Sequence, residues 1–185
     1  MNEIIPAILP KDAGDLVTKT DVLPLEIPFI HLDVLEEDIW ADISKSFEAH
    51  LMVESPEKIA GKWLERGAKR IIVHKVDESI IKCRDGAEVG LGVEIDKPLE
   101  KFSPFLDFVD FIHLMSIEEI GEQGHPFDER IFARIKEVKE KFPQLPISVD
   151  GGINLNNYKR LQEAGATRLI VGSHFKEIWN SLTRS

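Results

Sequence analysis

The chain has 185 residues, 43% of them hydrophobic and 30% charged, which fits one folded domain spanning residues 1–185 and argues against disorder. A formal net charge of −10, with no basic run, disfavours nucleic-acid partners, and no apolar run approaches the ~18 residues of a membrane helix. A single cysteine, Cys83, excludes a disulfide framework or a Cys-rich zinc site, and the start Met1-Asn2-Glu3, broken soon after by Pro6 and Pro10, does not read as a signal peptide, so a cytoplasmic protein is expected.

Short runs rich in Ile, Val, Leu and Phe recur at 4–9, 29–34, 47–53, 70–74, 88–93, 111–115, 146–149 and 168–171. Apolar at most positions, they suit parallel strands covered on both faces. The stretches between them carry helix signals. Glu36-Glu37-Asp38 reads as a solvated helix start. Ser55-Pro56 reads as an N-cap with proline at the first helical position. Ile59, Ala60, Trp63 and Leu64 then share one helical face, which Gly67 ends. Cys83 falls in a presumed helix, as packing. Ile131, Ile135, Val138 and Phe142 form a stripe stopped by Pro143. Asn154 is placed to cap a helix carrying Tyr158 and Leu161, and Phe175, Ile178, Trp179 and Leu182 form the last stripe.

Eight strands alternating with helices predict a (β/α)₈ TIM barrel, with an open doubly wound sheet as the other architecture the alternation allows. Such barrels usually take ~250 residues and rarely fewer than ~200, so some helices must be short or missing. The segment 35–46 leaves only 12 residues for the second crossover, near the practical minimum of ~10–12. The segments 77–87 and 94–110 are also cramped. Trimmed helices bare apolar strand surface, so a homo-oligomer, dimeric or higher, is expected to cover it.

Barrel chemistry lies at the C-terminal ends of the strands. In Phe29-Ile30-His31-Leu32-Asp33-Val34, His31 and Asp33 share one strand face and point inward. His50 lies next door in the third run, and Asp150 ends the seventh, across the ring. Two His and two Asp at one mouth suit a divalent metal, namely Zn, Fe(II), Mn or Co, with Zn or Fe(II) first. Taken singly, a His-x-Asp pair also fits a hydrogen-bonded core pair, and Asp150 before Gly151-Gly152 also fits turn chemistry. His74, at the end of strand four, reads as a structural or supporting residue. His113 reads equally as inward-facing or as core packing. His125 and His174 carry no specific signal.

A second signal concerns phosphate. Gly151-Gly152 follows the seventh strand and Gly172-Ser173 the eighth, where barrels often bind phosphate through backbone N–H groups and a helix N-terminus. Backbone donors would let an acidic chain hold an anion.

These residues carry a resemblance to ribulose-phosphate 3-epimerases. The matching stretches are His31-Leu32-Asp33-Val34, Ala49-His50-Leu51-Met52-Val53 with Pro56-Glu57, Gly67-Ala68 with His74, and Val89-Gly90-Leu91. They continue with Leu114-Met115-Ser116, Val149-Asp150-Gly151-Gly152-Ile153, Ala164-Gly165-Ala166 and Gly172-Ser173, in order through nearly the whole chain. The resemblance implies a ribulose-phosphate-binding type of barrel. It also implies a metal-dependent epimerase that interconverts D-ribulose 5-phosphate and D-xylulose 5-phosphate by proton transfer at C3 through a metal-stabilised enediolate. By position it makes His31, Asp33, His50 and Asp150 metal ligands, with Asp33 and Asp150 also the two acid/base carboxylates. Gly151, Gly152, Gly172 and Ser173 become phosphate loops, and Met52 and Met115 line the site.

The chain departs from that pattern in four places, one of them a second crossover shorter than the family's. Ala7 stands where the family has Ser, and Leu35-Glu36 where it has Met-Asp. The loop 119–127, with Gly121, Gln123 and Gly124, replaces Pro-Gly-Phe-Gly-Gly-Gln out of register. These departures keep other readings open: an allulose 6-phosphate 3-epimerase, a non-catalytic phosphosugar-binding barrel, or a metal-dependent lyase.

Overall fold

The computed structural model describes residues 3–122 and 124–183. Gln123, part of the altered loop, lies outside them, as do Met1 and Asn2. Eight parallel strands form a closed barrel in chain order. They are β1 (Glu3–Ile8), β2 (Phe29–Val34), β3 (Ser46–Leu51), β4 (Arg70–Val73), β5 (Glu88–Val93), β6 (Phe111–Met115), β7 (Ile147–Asp150) and β8 (Arg168–Val171). β8 pairs back onto β1, so neither the open sheet nor any free edge survives.

The outward residues of each strand, such as Ile30, Leu32 and Val34 of β2, are buried beneath the outer layer. That layer is uneven. The α-helices are α1 (Ala13–Asp21), α2 (Ala60–Glu65), α3 (Glu78–Lys82), α4 (Arg130–Lys141), α5 (Tyr158–Ala164) and α6 (Phe175–Thr183). α1 has no counterpart among the sequence expectations. Asp12 starts it by accepting a hydrogen bond from the Asp15 amide. α4 buries Ile131, Ile135 and Val138, the predicted stripe, but ends before Phe142.

Several helix boundaries differ from expectation. Pro56 opens a 3-10 turn, and α2 proper begins at Ala60. Asn154 accepts amide hydrogen bonds from Asn157 and Tyr158 at its carbonyl, capping the turn that leads into α5 rather than α5 itself. Leu182 of α6 is exposed. Cys83 is buried in a 3-10 turn that extends α3.

The clearest correction is at 35–45, where no helix forms and Glu36-Glu37-Asp38 is irregular. Eleven residues suffice to cross back but not to wind a helix over the sheet. Trp40 takes the helix's place, packing on Phe47 and edge-on against Trp63 at 5.5 Å between ring centroids. Arg66 lies over both indoles and pairs with Asp38. The stretch 94–110 likewise holds only 3-10 turns, which bury Leu99 and Leu106.

Candidate active site

Strand parity builds the site. β2 turns His31 and Asp33 inward. The β2–β3 register sets His31 opposite Glu48 and Asp33 opposite His50. On the other side, the β6–β7 register sets His113 opposite Ser148 and Met115 opposite Asp150.

Five side chains converge near the mouth. His31 Nε2 lies 3.2 Å from Asp33 Oδ1, 3.3 Å from His50 Nδ1 and 3.8 Å from Asp150 Oδ2. His50 Nδ1 is 3.6 Å from Asp33 Oδ1 and 3.7 Å from Asp150 Oδ2. His113 Nε2 is 3.4 Å from Asp150 Oδ2. One ligand atom each from His31, His50, His113 and Asp150 all fall within 4.8 Å of one another. Ligand atoms ~2.1 Å from a tetrahedral centre stand ~3.4 Å apart, close to the 3.3–3.8 Å separations among His31, His50 and Asp150 and the 3.4 Å between His113 and Asp150. The cluster is able to hold a metal.

The outer nitrogens of two of these rings are anchored. His31 Nδ1 lies 2.7 Å from Glu48 Oε1, and Arg70 Nη1 donates to Glu48 Oε2 at 3.2 Å. His50 Nε2 lies 2.9 Å from His74 Nε2, and His74 Nδ1 faces Glu94 Oε1 at 3.3 Å. His74 therefore supports the cluster from outside. Gly92 makes this possible: a Cβ there would stand 2.6 Å from the His74 ring. Glu48, fully buried, is a site residue that the sequence pattern does not single out. Its position two residues before His50, hence on the same inward face, was the signal available.

The electrostatics separate the two aspartates. Burial favours protonating Asp33, but the hydrogen bonds from His31 and His50 outweigh it and hold this carboxyl far below its usual range. Burial pushes Asp150 the other way, up to about 6, with the Asp33 charge adding to it and His31 opposing. Burial takes His50 down to about 3. For His31, burial is overcome by Asp33 and Glu48, which raise it well above normal.

Above the cluster lies a cavity of about 280 Å³. Asp33 and Asp150 form part of its floor, Met52 and Met115 part of its wall, and Gly151, Gly152, Gly172 and Ser173 one end. His31 and His50 lie beneath it, fully buried. Gly152 has φ +63°, and a Cβ there would meet the Phe127 backbone at 2.7 Å, so glycine lets the two loops close together. Ser116 Oγ donates to the carbonyls of Asp150 and Gly151, fixing that turn. Ala7 also lines the cavity, as do Phe127, Asn154, His125 and His174, none of which the sequence singled out as lining.

Comparison with known proteins follows the same lines. The model of the Ribulose-phosphate 3 epimerase family matches residues 3–176. Ribulose-phosphate 3-epimerase of Schizosaccharomyces pombe is 24% identical over 92% of this chain and 85% of its own length. That of Mycobacterium leprae is 25% identical over 92% and 86%, and that of Aquifex aeolicus 30% identical over 78% and 75%. Among solved structures, a tryptophan synthase complex from Pyrococcus furiosus superposes with TM-score 0.68 at 16% identity, over 97% of this chain and 90% of that one. The alpha subunit from Campylobacter jejuni gives 0.60 at 19%, over 95% and 90%. These two share the barrel fold.

Proposed function

The chain belongs to the ribulose-phosphate 3-epimerase family, and on that premise we propose that it interconverts D-ribulose 5-phosphate and D-xylulose 5-phosphate. The observation that carries this reading is the pair of carboxylates flooring one cavity, Asp33 from β2 and Asp150 from β7, with protonation preferences driven apart. Inversion next to a ketone needs one group to take a proton and another to give one on the opposite face. The ionised carboxylate, Asp33, takes the C3 proton. The electron pair moves toward the neighbouring carbonyl oxygen. Asp150, whose carboxyl burial raises to about 6 so that it gains and gives up a proton near neutral pH, returns a proton to the other face of C3. In the reverse reaction the two exchange roles.

His31, Asp33, His50 and Asp150 would hold a divalent ion, with Zn or Fe(II) the best match to a nitrogen and oxygen donor set. When bound, that ion supplies positive charge against the negative charge developing on the substrate oxygens. Met52 and Met115 wall the cavity with apolar, polarisable surface and exclude water. Gly151, Gly152, Gly172 and Ser173 hold the phosphate through backbone N–H groups, at the end where α6 begins.

One observation favours a second substrate. A neighbouring cavity shares Asp33, Met52, Gly121 and Glu122 and runs on between Leu9 and Ile39, where the second crossover lacks its helix. A ketohexose phosphate such as allulose 6-phosphate would have room there. Comparing kcat/KM for the two substrates decides between them. Our reading also places the enzyme in the cytoplasm as a homo-oligomer. Phe105 and Phe108 stand exposed on a crossover without an α-helix, where a second copy would cover them. A monomer by light scattering would count against that part.

The test is a coupled assay for xylulose 5-phosphate with Asp33→Asn and Asp150→Asn. Each variant should fold and lose turnover. Normal activity in either would remove the assignment.

A further inference from the structure

We propose that His113 is a direct ligand of the metal, so that three imidazoles rather than two hold the ion; this rests on the metal-dependent reading above. Three rings share one pattern. His31 directs Nε2 to the centre of the cluster and anchors Nδ1 on Glu48. His50 directs Nδ1 to the centre and anchors Nε2 on His74. His113 follows the same plan. Its Nε2 faces Asp150 Oδ2 at 3.4 Å, and its Nδ1 lies 3.2 Å from Ser148 Oγ, its register partner across the β6–β7 pair. An imidazole with one nitrogen tethered and the other aimed at a common point is how proteins orient a ligating histidine.

A core-packing role fits these facts poorly. His113 is fully buried, and its Nε2 makes no hydrogen bond. Its inward neighbours on β6, Phe111 and Met115, are apolar, and a third apolar side chain would fill the same place without stranding a polar atom. With Nδ1–H donated to Ser148, Nε2 turns a lone pair toward a carboxylate oxygen. Two acceptors then face each other across 3.4 Å, an arrangement that a cation between them relieves. The ring is also held in place: it stacks on His31 at 5.6 Å between centroids and meets His50 edge-on at 4.7 Å. A third imidazole shifts the donor set further toward Zn, Fe(II) and Co(II) and away from Mg²⁺, which favours oxygen.

The wild-type chain can be tested without mutation. Loaded with Co(II), each coordinated imidazole contributes one slowly exchanging, paramagnetically shifted N–H proton. Selective ¹⁵N-histidine labelling should count three, on His31 Nδ1, His50 Nε2 and His113 Nδ1. Two signals would overturn the proposal. In parallel, His113→Leu should weaken Zn²⁺ affinity about tenfold or more in chelator competition and delete one signal, while the metal-free variant melts no lower than wild type. Unchanged affinity and spectrum would also overturn it. Should His113→Leu not fold, the wild-type signal count decides alone. Wild type that binds no divalent ion would overturn the metal-dependent reading and this inference together. Wild type that binds one with two N–H signals would overturn this inference only.

Discussion

Replacing Glu48 with Gln probes the link between the barrel floor and the reactive end. Glu48 is 1% exposed, accepts from His31 and Arg70, and through those bonds is held at about 2 despite a burial that favours its neutral form. A carboxyl moved from 4.5 to about 2 contributes about 3 kcal/mol of folding stability at neutral pH. The unfolded chain binds this proton more readily than the folded one. The contribution is therefore complete above pH 4.5 and drains away as pH falls toward 2.

Glu48→Gln keeps the shape and a weaker hydrogen bond to His31, so the net loss at pH 7 should be about 1–3 kcal/mol. In a chain of this size that lowers Tm by roughly 2–4 °C per kcal/mol. His31 also loses its charged anchor, which should weaken metal binding about 10–100-fold. Urea unfolding of metal-free wild type and variant from pH 7 to pH 3 measures the first effect, and chelator competition the second. The reasoning predicts a stability gap at pH 7 that narrows as pH falls below 4.5. Equal urea midpoints at pH 7, with parallel profiles down to pH 3, would refute it.

Other perturbations follow from single contacts. Gly92→Ala puts a Cβ 2.6 Å from the His74 ring; His74 must move off His50, and both metal affinity and kcat should fall, as titration calorimetry and steady-state kinetics would read. Gly152→Ala adds a Cβ 2.7 Å from the Phe127 backbone at positive φ. It should raise KM for a sugar phosphate far more than it lowers metal binding, and an unchanged KM would argue against a phosphate loop there. Trp40→Ala strips the side chain that stands in for a helix over Phe47 of β3 and should cost about 2–4 kcal/mol, read by urea unfolding, with kcat little changed.

The barrel was legible because its strands are short apolar runs buried on both faces, and all eight begin within a residue of where the pattern places them. The helical layer was less so. α1 depends on a cap at Asp12 and only a few apolar residues, Leu16 chief among them. The stretch 35–45 carries acidic residues that look like a helix start but has too little chain to wind one.

Inward parity made His31, Asp33, His50 and Asp150 readable as one group, since each polar residue interrupts an apolar strand near its end. What parity cannot give is height within the barrel. That depends on the stagger between strands, which sets His113 level with Ser148 and Asp150 level with Met115. For that reason Glu48 went unassigned and His113 stayed open between core and site. The lining residues Phe127, Asn154, His125 and His174 come from loops whose path no strand pattern fixes.

The most direct test of the account is the formation of D-xylulose 5-phosphate from D-ribulose 5-phosphate in D₂O, with and without chelator, for wild type, Asp33→Asn and Asp150→Asn. The account predicts product deuterated at C3 from wild type, loss of turnover on chelation with recovery on adding a divalent metal, and no turnover from either variant. Turnover that survives chelation, or that persists in Asp33→Asn or Asp150→Asn, would contradict it.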